Sequence, residues 1–133
     1  MQEAKLLSET DAGAWDHDML ASAIDVLRDG ENAVTSCSAA MLADPHAGQL
    51  AGAVARDLDT ADVLAVTARL LIRRAGVDTA LLRVQLEACA IACERSAELC
   101  GRHAHHHEHC RKCSEATRRC AEVTRELRQA LPA

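Results

Sequence analysis

The chain contains no phenylalanine and no tyrosine, and Trp15 is its only member of the Phe, Trp and Tyr group. A core made without them must draw on Ala, Leu, Val, Ile and Cys, which suits closely packed helices better than strands rich in aromatic and β-branched residues. No stretch approaches the roughly eighteen apolar residues of a membrane span. The N-terminal MQEAKLLSETDAGAWDHDML has neither a basic n-region nor an apolar h-region. No membrane partner is therefore expected, and the expected location is cytoplasmic. Net charge is -5, and bases are interleaved with acids rather than clustered, which argues against a nucleic-acid partner. A nucleophile elbow, a Walker loop and a Rossmann glycine fingerprint are all missing; Gly30, Gly76 and Gly101 stand alone. Cys100 with His103 is the minimum for an activated thiolate, but no oxyanion arrangement accompanies it, so no enzyme is expected.

What the chain does have is seven cysteines and seven histidines in 133 residues. An odd cysteine count in a reducing compartment points to free thiols, either ligands for a soft metal or small buried apolar groups. The length suits one domain. Its amphipathic segments run over about 10–43, 45–75, 79–103 and 107–131, punctuated by Asp44-Pro45, Gly76, an N-capping Asp78 and Pro132. In the second segment, Leu50, Val54, Leu58, Leu64, Leu70 and Leu71 supply the apolar residues. The expected fold is all-α, an antiparallel up-down-up-down four-helix bundle.

The cysteines keep a helical rhythm. Cys89, Cys93 and Cys100 are spaced by four and seven, and Cys110, Cys113 and Cys120 by three and seven. With Ser96 and Thr117 filling the gaps, each set lies along one helical face that should look into the bundle. Between them sits CGRHAHHHEHCRKC, with five histidines over 103–109. At 1.5 Å rise per residue, Cys37, Met41, Cys100, Cys110 and Cys113 gather at one bundle end with His103, His107 and His109. Cys89, Cys93 and Cys120 form a second group about 10 Å deeper.

Thiolate and thioether ligands select Cu(I), and imidazole is borderline, so the mouth cluster suits a cuprous ion. Zinc takes the same residue types, although Cys110 and Cys113 in a continuous helix lack the knuckle turn of a zinc ribbon. A third reading keeps the bundle as a scaffold or oligomerisation module whose cysteines are small hydrophobes. His103 and His107 are candidate mouth ligands, whereas His105 and His106 belong to a solvent-exposed turn. His109 is expected to point outward because Cys110 points inward; His17 and His46 are expected at the surface. Asp57, Asp59 and Asp62 read as a solvated or ion-paired face with Arg56 and Arg69. Gly30 in mid-helix costs about 1 kcal/mol relative to Ala, so it marks either close helix approach or room for a core group.

Three stretches, RDLDTADVLAVTARLL (56–71), ACAIACERSAELCGRHAHHHEHCRKCSEATRRCAEVTREL (88–127) and, more weakly, AIDVLRDGENAVTSCSAAMLAD (23–44), carry a family resemblance. The chain resembles the bacterial four-helix-bundle copper-storage proteins, in particular their cytosolic branch. That resemblance implies Cu(I) as cargo and a homo-oligomer. It also implies that the family's thiol positions fall here on Ala23, Leu27, Gly30, Val34, Cys37 and Met41, on Ala53, Thr60 and Leu64, and on Ser96, Thr117 and Thr124. More than half of the thiols are replaced, which implies a divergent, low-capacity Cu(I) sink or buffer. Its expected ligands are Cys37, Cys100, Cys110 and Cys113, with Met41, His103 and His107 at the mouth and Cys89, Cys93 and Cys120 inside.

Overall fold

The structure, a computed structural model, describes residues 15–73, 78–104 and 107–132. Four helices carry it: α1 (His17–Leu42), α2 (Ala51–Ile72), α3 (Thr79–Gly101) and α4 (Glu108–Gln129). Helix α1 packs on α2 and α4, α3 packs on the same two, and among the described residues the diagonal pairs meet only through side chains. That neighbour order is an all-α, up-down-up-down four-helix bundle. At 26 residues, α1 is about 39 Å long.

Local chemistry sets the helix ends. Asp16 caps α1 by accepting the Met19 N–H at 2.7 Å, and Asp78 caps α3 by accepting the Leu81 N–H at 3.2 Å. Each satisfies a donor that the first helical turn leaves unpaired. Helix α2 begins at Ala51 rather than at Pro45. The Asp44 carboxylate accepts the His46 N–H at 2.7 Å and its carbonyl accepts the Ala47 N–H at 3.0 Å. The chain is thereby held in a turn, and one turn of 3-10 helix, Ala47–Leu50, precedes α2. Helix α3 stops at Gly101, before His103, and α4 starts at Glu108 with His107 as its N-cap. The expected first-helix start near residue 10, the end of the second segment at 75 and Gly76, and His105 and His106 lie outside the described residues.

The core has the composition that the missing aromatics require. Leu20, Ile24, Leu27, Leu64, Leu71, Leu82, Leu86 and Leu127 are fully or almost fully buried at one end and through the middle, with Ala23 and Ala53 beside them. Trp15 closes that end, its indole N–H donating to the Leu127 carbonyl at 2.9 Å. The buried threonine hydroxyls are satisfied within their own helices: Thr60 donates to the Arg56 carbonyl, Thr67 to Val63, Thr117 to Cys113 and Thr124 to Cys120, all at 2.7–2.8 Å. Such bonds let a hydroxyl occupy a core position without a desolvation penalty. One stripe differs from expectation. The inward face of α2 runs through Ala53, Asp57, Thr60, Leu64, Ala68 and Leu71, so Leu58 turns outward and is half exposed.

Candidate metal centre

All seven cysteines are free and buried. The 4-3-4 face of α3 (Cys89, Cys93, Ser96, Cys100) and the 3-4-3 face of α4 (Cys110, Cys113, Thr117, Cys120) both turn fully into the bundle. They meet across α3 and α4, and α1 and α2 complete the enclosure.

At the end where α3 leads into α4, two ligand groups share one sulfur. The first joins Cys37, His109 and Cys110: Cys37 Sγ lies 3.3 Å from His109 Nδ1 and 3.9 Å from Cys110 Sγ, and His109 Nδ1 lies 3.4 Å from Cys110 Sγ. The second joins Cys37, Asp57, Cys100 and Cys113, one residue from each helix, all buried, with ligand atoms within 4.8 Å of one another. Asp57 lies 3.4 Å from Cys100 Sγ and 3.7 Å from Cys113 Sγ, and its Oδ1 accepts the Ser96 hydroxyl at 2.7 Å.

Two sequence expectations are overturned here. His109 points inward, because position 109 is four residues before Cys113 and so shares that residue's face of α4. Asp57 is fully buried rather than solvated, while Asp59 and Asp62 remain exposed. Its slot between Ala53 and Thr60 on the inward face of α2 was the available signal.

The electrostatics follow from packing charge-bearing groups away from water. Burial, and then the Cys100 sulfur, push the Asp57 carboxyl up to about 7. Cys100 is held down to about 3, first by the Cys113 thiol and then by the Cys37 thiol, whose sulfurs lie within 4.8 Å of its own. Those two thiols are correspondingly raised. Within this trio Cys100 is the thiol most easily ionised, and a second thiolate beside it is disfavoured. Desolvation raises Cys110 to about 11 and lowers His109, which favours a neutral imidazole able to ligate.

Outside this cluster lies a mouth pocket of about 350 Å³ lined by His46, Gln49, Leu50, His103 and His107. His107 and His103 ring centroids are 6.5 Å apart, and His107 and His109 are 5.2 Å apart. Asp44 lies 3.5 Å from both His107 Nδ1 and His46 Nδ1. The histidines therefore step from solvent toward Cys37 and Cys110. His46 is exposed, as its sequence position indicates, but lines the pocket; His17 pairs with Asp18 on the surface. Met41 is fully buried one turn beyond Cys37 on α1.

Deeper in the bundle, Cys89, Cys93 and Cys120 are all fully buried, and the Cys120 and Cys89 sulfurs beside Cys93 push its thiol up. Cys120 also donates to the Val26 carbonyl at 3.3 Å. Gly30 answers the question its position raised. A methyl group there would lie 2.3 Å from Cys120 Sγ, so the missing side chain is the space that the sulfur fills.

Buried thiols from three helices, an imidazole among them and a histidine-lined approach are the makings of a soft-metal store. The sequence profile described as "Copper storage protein" matches residues 16–129. The chain belongs to the copper storage protein family. Its structure is similar to that of the copper storage protein Ccsp from Streptomyces lividans loaded with 10 copper equivalents. Identity is 37 %, the TM-score is 0.91, and the match covers 97 % of this chain and 99 % of that one. The five-copper form of a cytosolic copper storage protein from Streptomyces lividans matches at 37 % identity and a TM-score of 0.84, over 86 % of this chain and 96 % of that one. No curated protein matches the chain. As a member of a metal-storage family the copper storage-like chain binds metal and is not an enzyme. Among the described residues no helix is long and apolar enough to cross a membrane.

Proposed function

We propose that this protein is a low-capacity Cu(I) sink or buffer. The observation that carries the reading is the Cys37, His109 and Cys110 group, three soft or borderline donors within 4 Å of one another at a histidine-lined mouth. Cys100 and Cys113 extend it inward, and Met41 offers a thioether nearby. His103 and His107 receive the ion and pass it on by ligand exchange. Cys89, Cys93 and Cys120 form the inner group that fills afterwards. Capacity is low because Thr60, Ser96, Thr117 and Thr124 occupy inward positions with hydroxyls, which are poor ligands for a cuprous ion. The relative described as cytosolic supports a cytoplasmic location, where buried thiols stay reduced. Homo-oligomerisation is proposed by family resemblance, and exposed Leu58, Leu81, Val84 and Ile91 on α2 and α3 leave apolar surface for it.

The test is an anaerobic titration of reduced protein with Cu(I) against a chromophoric competing chelator, repeated with Cys100→Ser and Cys110→Ser. Tight uptake of a few equivalents, reduced in both variants, is expected. Absence of uptake would leave the bundle as a scaffold and remove the reading.

A further inference from the structure

The carboxylate among the thiols does not fit a store for cuprous ions alone. Oxygen is a hard donor and a poor Cu(I) ligand, whereas zinc accepts sulfur and carboxylate oxygen in one tetrahedron. The Cys37, Asp57, Cys100 and Cys113 group supplies one ligand from each of the four helices, so its donor atoms converge from four directions. Zn–S bonds of about 2.3 Å and Zn–O bonds of about 2.0–2.2 Å set sulfur-to-oxygen edges of about 3.5–3.7 Å in a tetrahedron. The edges present are 3.4 and 3.6 Å from Asp57 to Cys100, and 3.7 Å from either oxygen to Cys113. Ser96 donates to Asp57 Oδ1 at 2.7 Å and fixes the carboxylate, the outer support that ligating carboxylates normally have. Charge points the same way. Three thiolates and a carboxylate in a buried site are neutralised further by a divalent than by a monovalent ion.

We infer that Cys37, Asp57, Cys100 and Cys113 form a four-helix Zn(II)-type site, occupied when copper is scarce and emptied when Cu(I) arrives. Exchange follows from Cys37, which the tetrad shares with the His109 and Cys110 group. Zinc binding releases the thiol protons to solvent, and Cu(I) then takes the sulfurs while Asp57 is left behind. Nothing is oxidised or reduced. With zinc in place, the four helices are tied together at the mouth of a bundle that is otherwise open there. The inference rests on the bundle interior being a metal site, but it fails separately from the copper reading.

The experiment uses reduced, metal-free, full-length protein titrated anaerobically with Co(II) as the spectroscopic probe. One equivalent should give the intense visible bands of tetrahedral cobalt with sulfur-to-metal charge transfer, and added Zn(II) should bleach them. Asp57→Ala should weaken Co(II) binding by more than about tenfold, while chelator-competition affinity for Cu(I) changes only a few-fold or less. Asp57→Cys should keep the tetrahedral bands and strengthen the charge transfer by a fourth thiolate, which keeps the test decisive if the alanine variant does not fold. Weak octahedral bands in the wild type, or an unchanged Co(II) affinity in folded Asp57→Ala, would overturn the inference while Cu(I) uptake persists. Loss of both Co(II) and Cu(I) binding in the wild type would overturn it together with the copper reading.

Discussion

Gly30→Ala sets two calculable effects against each other. In an ordinary helix interior the change gains about 1 kcal/mol from the better helix former. Here the new Cβ would lie 2.3 Å from Cys120 Sγ and 3.3 Å from a Leu64 methyl. Non-bonded atoms of this kind sit near 3.5–4.0 Å, so the sulfur must retreat by more than about 1 Å. Cys120 has little room to do so, being fully buried, bonded to the Val26 carbonyl and beside Cys93. Overpacking a filled core costs about 1–3 kcal/mol. The net expectation runs from neutral to about 2 kcal/mol of destabilisation. In a Cys120→Ala background the main obstruction is gone and only the Leu64 methyl must give slightly, so Gly30→Ala should stabilise by up to about 1 kcal/mol. The double-mutant cycle should therefore give a coupling of about 1–3 kcal/mol. Equilibrium urea unfolding of the reduced, metal-free proteins, followed by circular dichroism, measures all four corners. A coupling below about 0.5 kcal/mol, with Gly30→Ala stabilising in both backgrounds, would refute the assignment of Gly30 as the slot for Cys120.

Two further outcomes follow from the same packing. Because the Asp57 carboxyl is raised from 3.8 to about 7, the folded protein holds a proton that the unfolded chain releases. Relative to Asp57→Asn, metal-free wild type should lose stability as pH rises from about 4 through about 7, by at most about 4 kcal/mol. Parallel pH profiles of the urea midpoints for the two proteins would count against a buried, titrating Asp57. Thr117 lies between Cys113 and Cys120 on the inward face of α4, and its hydroxyl bonds only within that helix. Thr117→Cys should raise the Cu(I) capacity by about one ion or more, at about 1 kcal/mol in lost hydrogen bonding. An unchanged end point in the chelator titration would show that the two thiol groups are not linked through this position.

Sequence periodicity alone determined most of the scaffold. The 4-3-4 and 3-4-3 spacings of α3 and α4 specify one inward face each, because a helix repeats every 3.6 residues whatever surrounds it. The lack of aromatics required small core residues, and Asp78 marked the start of α3 through a cap that acts within one turn. Three features were decided only by tertiary structure. His109 turns inward to meet Cys37, 72 residues away in the chain. Asp57 leaves the charged face suggested by its acidic neighbours and joins three thiols from the other three helices. Gly30 is a space whose meaning depends on a sulfur from α4. In each case the deciding partner lies on another helix, at an axial offset set by turn geometry and interhelix packing. The turn at Asp44 illustrates that dependence, since its side chain delays α2 to Ala51 and with it sets the depth at which Asp57 reaches the cluster. Periodicity says which side of a helix faces in; only the assembled bundle says what it faces.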